Sequence, residues 1–312
     1  MADLADRGRG DSGLTIETID LRKRYASGVE AVRGLNLRVP AGSICGFLGR
    51  NGAGKTTTIK MLLGITRPTS GEARVLGLRV QDPDSSVAIR RRTGFVSDEK
   101  DLYDAMTAAQ LIGFTARFFP KWQTDREQQY VRRFEIPLDA RIKTLSRGTR
   151  TKLALVLAFC RGADLLILDE PTSGLDPAAA EDVLQALVAH VASREATVFF
   201  SSHQIAEVDQ IADHAAIIDA GRIVVSDALD DLREAYRRVQ IVFDGDAPVP
   251  AFRAPGVVRV RRSGRTIGIV ASEGADAIVA EARVLNPVSI DVAPITLKEI
   301  FLETVAGGDS GA

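Results

Sequence analysis

The chain has 312 residues, 45% hydrophobic and 26% charged, which excludes a wholly disordered chain, a collagen-like chain and a small disulfide scaffold. Its 40 Lys and Arg stand against 41 Asp and Glu, a net charge of −1, so no overall basic excess points to nucleic acid. The length allows about two domains, and no apolar run approaches the ~18 to 20 residues that span a bilayer.

Residues 1–14, MADLADRGRGDSGL, lack the apolar core of a secretory signal and read as a loose polar tail. The runs TIETIDL, AVRGLNLRV and SICGFL are rich in β-branched and apolar residues and predict strands. SICGFL leads directly into GRNGAGKTTTIKMLLG, a glycine-rich turn followed by a helix with Ile59, Leu62 and Leu63 on one face. TGFVS predicts a further strand. The block from about 98 to 162 is mostly helical and is punctuated by Pro120 and Pro137.

DLLILDE, ATVFFSS and HAAIIDA then return as apolar strands separated by helices. That alternation predicts a mainly parallel sheet covered on both faces, with the helical block inserted into it. From 237 to 306 the text predicts a small α+β domain. Ser263-Gly264 makes a hairpin turn between two alternating runs, and LKEIFLETV closes the domain as a helix. Residues 307–312 read as a mobile tail. Cys45 and Cys160 lie in apolar runs and read as packed, reduced thiols of a cytosolic protein.

Gly49-Arg50-Asn51-Gly52-Ala53-Gly54-Lys55-Thr56 fits G-x-x-x-x-G-K-[ST]. Glycines let the backbone curl with N–H groups pointing inward, and the following helix presents its amino-terminal amides and partial positive charge. Lys55 is placed to reach the β and γ phosphates of a nucleotide, Thr56 to ligate Mg²⁺, and Thr57 to contact the α phosphate. A second half-site follows in DLLILDE, where a strand ends in two carboxylates. Asp169 suits a Mg²⁺ role and Glu170 a general base toward water.

Four other positions are ambiguous when taken singly. Ser146, in Leu145-Ser146-Arg147-Gly148-Thr149, is an N-cap or half of an anion site with Gly148. Asp176 caps a helix that opens with Pro177. His203 is a hydrogen-bonded strand end, and Tyr25 a half-buried aromatic.

The order and spacing of Tyr25, GRNGAGKTT, LSRGT, LLILDEPTSGLDP and His203 resemble the nucleotide-binding subunit of ATP-binding cassette (ABC) transporters over about 15–236. The resemblance implies an α/β P-loop NTPase of ABC-ATPase type with a helical insertion subdomain, binding ATP and Mg²⁺. It implies that Tyr25 stacks on adenine and that residues 49–57 hold the phosphates. Ser146 and Gly148 would contact the γ phosphate of ATP on an opposite subunit. Asp169 would support Mg²⁺, Glu170 would activate water, Asp176 would sit at the dimer seam, and His203 would hold the γ phosphate and water.

The chain departs from the family pattern twice. Its signature is LSRGT where LSGGQ is usual, and Arg147 adds a cation that either aids ATP or faces solvent. Asp98 stands where the family carries a glutamine that ligates the metal, with Glu99 as a competing candidate. The resemblance further implies a homodimer or heterodimer, a separate integral-membrane permease, and a cytoplasmic location at the inner face of the membrane. DLYDAMTAAQL and LKEIFLETV point loosely to bacterial exporters. The alternative is an ABC ATPase acting on DNA or ribosomes, but no nucleic-acid partner is expected from a chain with no basic block.

Overall fold

The computed structural model describes residues 13–193, 196–249 and 252–305. Of the two tails expected from the sequence, 307–312 and most of 1–14 lie outside the described residues. Leu14 already begins the first strand.

The chain runs β1 (Leu14–Arg24), β2 (Glu30–Pro40), β3 (Ile44–Leu48), α1 (Lys55–Leu62), β4 (Ser70–Val75), β5 (Leu78–Arg79), α2 (Pro83–Arg92) and β6 (Thr93–Val96). The helical block follows as α3 (Ala108–Ala116), α4 (Thr124–Arg133) and α5 (Arg147–Phe159). Then come β7 (Leu165–Asp169), α6 (Pro177–Ala192), β8 (Thr197–Ser202), α7 (Ile205–Ile211), β9 (His214–Asp219) and β10 (Arg222–Ala228). The last stretch is α8 (Leu229–Ala235), β11 (Arg237–Val242), β12 (Val257–Ser263), β13 (Thr266–Ala271), α9 (Ala275–Val284), β14 (Ser289–Pro294) and α10 (Leu297–Val305).

Two compact units divide between Ser226 and Asp227. The sequence placed that boundary ten residues later, after Tyr236. Helix α8 belongs instead with the second unit, because it buries Leu229 and Leu232 and packs against α10.

The first unit holds two sheets. The larger has the order β10-β9-β3-β8-β7-β6, and β9, β3, β8, β7 and β6 run parallel. Its central strands are largely apolar, with polar residues at the ends of β7 and β8, and every residue of β3, β7 and β8 is buried, as a sheet covered on both faces requires. The first two strands do not join it. They form an antiparallel sheet of order β2-β1-β4-β5. The loop at 25–29 is long enough for a hairpin but far too short for the crossover a parallel pair needs.

Residues of both sheets and of α1 share one core, among them Ile16, Val39, Phe47, Ile59, Val75, Ile167 and Phe199. Cys45 and Cys160 are free, buried thiols, and burial pushes the Cys45 thiol up to about 12. The second unit is an antiparallel sheet of order β12-β13-β11-β14 with its own core, including Val239, Ile269 and Ile278. Its β12–β13 hairpin turns at Gly264, whose φ of 53° lies in the left-handed region. Among the described residues no helix is long and apolar enough to cross a membrane.

Phe199 of β8 packs against Phe47 of β3 with ring centroids 5.2 Å apart and the rings tilted by 34°, and both are fully buried. Phe199→Ala is expected to destabilise the first unit by about 3–5 kcal/mol. Chemical denaturation of the full chain measures it, and a loss below about 1 kcal/mol would mean this contact does not hold the parallel sheet together.

Candidate functional site

Strand β3 ends at Leu48 and the chain turns through 49–54 into α1. Two glycines here are sterically required. A Cβ on Gly54, at φ 112°, would lie 2.6 Å from the Ala31 carbonyl oxygen, and one on Gly49 would lie 2.7 Å from the Ile218 carbonyl oxygen. Gly54 offers no side chain to cap α1, so the first N–H groups of that helix remain available to an anion. Asn51, Gly52, Gly54, Lys55, Thr56 and Thr57 line a cavity that Asp98, Asp169 and Glu170 close from the other side. Ala53 is buried behind the turn with its N–H donated to the Arg50 carbonyl at 3.1 Å. Tyr25 is half-exposed, and its Oη lies 3.3 Å from Thr57 Oγ1.

Strand β7 delivers the two carboxylates. Neighbouring residues of a strand face opposite ways, but Glu170 leaves the sheet at φ 51°, which turns its side chain toward the cavity that Asp169 also lines. Asp169 is buried and fully engaged. Its Oδ2 accepts from Thr56 Oγ1 at 2.8 Å, and its Oδ1 accepts from Ser201 Oγ at 2.6 Å. Ser201 also accepts from the Glu170 N–H at 3.1 Å. Glu170 Oε1 lies 3.3 Å from Lys55 Nζ, and its Oε2 lies 2.7 Å from His203 Nδ1. Lys55 Nζ donates to the Gly49 carbonyl at 2.7 Å, so the lysine is folded back over its own loop.

The structure therefore brings together the phosphate-loop residues, Asp98, Asp169, Glu170 and His203, with Tyr25 at the margin. Ser146, Gly148 and Asp176 do not line this cavity. Ser146 caps α5, its Oγ accepting from the Thr149 N–H at 3.1 Å. Asp176 caps α6 through the Ala179 N–H at 3.0 Å, and that bond holds its carboxyl below the usual carboxylate range. Arg147, a cation at a helix amino terminus where the dipole disfavours it, swings aside. It donates to Ser173 Oγ at 3.0 Å and lies 3.7 Å from Asp98 Oδ1. It is thus tied within the chain while its side chain stays 65% exposed to solvent.

Two residues that carry the site were not singled out from sequence. Ser201 had a usable signal. It sits at the end of β8 in register with Asp169, as adjacent parallel strands ending in SS and DE predict. Lys100 had none. It lies in an irregular loop, yet is only 5% exposed, and donates to the carbonyls of Asp169 at 3.3 Å and Glu170 at 3.0 Å. Burial pulls its ammonium down to about 8 against the opposing pull of Asp98, Asp169 and Glu170.

A family model described as ABC transporter matches residues 32–173. The chain is 27% identical over 291 residues to the ABC transporter ATP-binding protein YtrB of Bacillus subtilis, covering 93% of this chain and 98% of that protein. It is 34% identical over 225 residues to the bacitracin transport ATP-binding protein BcrA of Bacillus licheniformis, 72% of each chain. It is 37% identical over 230 residues to the daunorubicin/doxorubicin resistance ATP-binding protein DrrA of Streptomyces peucetius, 70% of this chain and 67% of that one.

Among solved structures, cbiO1 of Clostridium perfringens, part of the ABC transporter complex cbiONQ, aligns with a TM-score of 0.60 at 25% identity over 69% of this chain and 89% of that one. The fold is also shared with the cassette MJ0796, solved as a dimer in a post-hydrolysis state bound to ADP and Pi. There the TM-score is 0.63 at 21% identity, over 69% of this chain and 98% of that one.

Ser201→Ala would strip one hydrogen bond from the buried Asp169 carboxylate and another from the Glu170 N–H. The expected loss is about 1–3 kcal/mol of stability, read by thermal or urea unfolding. Unchanged stability would show that Ser201 is dispensable to the turn.

Proposed function

The chain belongs to the ABC transporter ATP-binding proteins, and from that premise we propose that it closes on ATP as a dimer to drive a separate membrane permease. As a member of that family it is an ATP-binding and ATP-hydrolysing subunit. The observation that carries the finer reading is the convergence of Lys55, Thr56, Asp169 and Glu170 on one cavity, with His203 bonded to Glu170 behind it.

In this reading the loop amides and Lys55 take the β and γ phosphates, and Lys55 leaves Glu170 to do so. Thr57 meets the α phosphate, and Tyr25 stacks on adenine. Glu170, held by His203, accepts the proton of the attacking water, while His203 orients that water and the γ phosphate. Thr56 and Asp169, with Asp98 at the rim, present the hard oxygen donors that suit Mg²⁺. Mg²⁺ held there would neutralise charge on the β and γ oxygens.

Ser146 and Gly148, outside their own chain's cavity, would meet the γ phosphate bound to a second copy at the amino terminus of α5, with Asp176 at the seam. Two copies arranged head to tail enclose two ATP molecules with two-fold symmetry. Loss of the γ phosphate then weakens the closed state.

The relatives named for bacitracin transport and for daunorubicin/doxorubicin resistance support an exporter type and a site of action at the inner face of the cell membrane. They favour transport over an action on DNA or ribosomes. Tyr103, Phe114 and Phe118 form an exposed ladder of edge-on aromatic contacts with centroids 6.0 and 5.1 Å apart. This face suits an amphipathic helix of the permease.

Glu170→Gln is expected to lower ATP hydrolysis about 10²- to 10⁴-fold while ATP still binds, so that an ATP-loaded dimer accumulates in size-exclusion chromatography. Full turnover would remove Glu170 from the role of base. Phe118→Ser, at an exposed site, should leave basal ATP hydrolysis intact and reduce the fraction sedimenting with native membranes by about tenfold. Undiminished recovery would move the permease contact elsewhere.

A further inference from the structure

Lys100 lies in the loop that joins β6 to α3, two residues beyond Asp98. Its side chain is 3% exposed. Its Nζ donates to the carbonyls of Asp169 at 3.3 Å and Glu170 at 3.0 Å, and lies 3.9 Å from Asp98 Oδ1. Lys100 itself sits at φ 50° and faces a Glu170 at φ 51°. Two bulky residues thus hold a backbone conformation that L side chains rarely adopt, one supplying the ammonium group and the other the carbonyl it meets. Such paired outliers persist only where surrounding contacts fix them. Water could satisfy two carbonyl oxygens at a strand end, so a buried cation there calls for a further reason.

The reason lies in what Glu170 keeps when its neighbours are used. Its carboxylate is held on one side by Lys55 and on the other by His203. When Lys55 turns to phosphate, one of those two contacts is given up. What then remains is His203 on the side chain, Ser201 on the N–H, and, on the carbonyl, both Lys100 and the Ser173 N–H at 3.2 Å. Of these, only Lys100 grips both peptides of the turn, and only Lys100 comes from the loop that carries Asp98.

We propose that Lys100 is a positioning residue for Glu170, fixing the left-handed turn that aims its carboxylate and tying that turn to the Asp98 loop. The inference rests on the reading of Glu170 as the base. Displacement of the loop would be transmitted to the base through this ammonium group. Lys100 does not line the phosphate-loop cavity and acts through the residue it holds.

The test uses the full chain with Lys100→Met, which removes charge and donors at similar volume, and Lys100→Arg, which keeps both. Each is made with and without Glu170→Gln. Steady-state and single-turnover ATP hydrolysis give kcat and KM, and a fluorescent ATP analogue gives nucleotide affinity.

Lys100→Met is expected to lower kcat about 10- to 100-fold, the scale of a misplaced catalytic group. KM and analogue affinity should stay within about threefold, and Lys100→Arg should recover most of the loss. The double variant should be no slower than Glu170→Gln alone, because two changes acting through one residue do not multiply. Wild-type kcat in Lys100→Met, or losses that multiply in the double variant, would overturn the proposal. If thermal unfolding shows Lys100→Met to be misfolded, Lys100→Gln is read against the same expectations. Normal turnover by Glu170→Gln would sink the reading of Glu170. A slow Glu170→Gln beside a fast Lys100→Met would sink Lys100 alone.

Discussion

One hydrogen bond, from Thr56 Oγ1 to Asp169 Oδ2 at 2.8 Å, joins the glycine-rich loop to the end of β7 across 113 residues of sequence. It exists because β3 and β7 flank β8 in a parallel sheet, so both chains leave the sheet at the same edge. That edge is where ligands of open α/β sheets bind. The rest of the site is arranged about this contact. The loop supplies positive ends and a lysine, β7 supplies carboxylates, and β8 supplies Ser201 and leads to His203. The fold thereby brings opposed charges together before any nucleotide arrives.

Buried charge makes the arrangement responsive. Lys55 and Glu170 are both nearly inaccessible and lie 3.3 Å apart. A buried pair of this kind is costly to break unless another partner replaces the one lost. In the proposed reading a triphosphate would be such a partner for Lys55, and His203 would retain Glu170. The amino terminus of α5 has no comparable role inside its own chain, where Ser146 serves as a cap. In the proposed reading its use lies with a second copy, whose bound phosphate would meet the helix end that this chain leaves at its surface.

Much of this was legible in sequence because the signals were local. The phosphate loop is a contiguous motif, and the apolar runs of β3, β7 and β8 announce a sheet covered on both faces. The hairpin at Gly264 followed from two alternating runs with a glycine between them. What escaped notice was non-local or weakly patterned. SGEARV forms β4, yet it buries only Ala73 and Val75, so its text is mostly polar. The first two strands were recognised, but not their separate antiparallel sheet, which depends on pairing rather than on composition. The unit to which helix α8 belongs is not legible in sequence, because its partner, α10, lies some sixty residues further along. Lys100 carried no motif, since burial of a loop lysine follows only from the strand end it lies against. Sequence offers two readings of Arg147, because its tie to Ser173 and Asp98 depends on side chains from three separate segments.

The central claim is that each catalytic pocket is shared between two copies, with Lys55 from one and the Ser146 turn from the other. Mixing two inactive variants, Lys55→Ala and Ser146→Ala combined with Gly148→Asp, tests it directly. Heterodimers of the two contain one pocket in which both halves are intact and one in which both are damaged. The account predicts that ATP hydrolysis, absent from either variant alone, reappears on mixing. A mixture that stays inactive while heterodimers demonstrably form would contradict it.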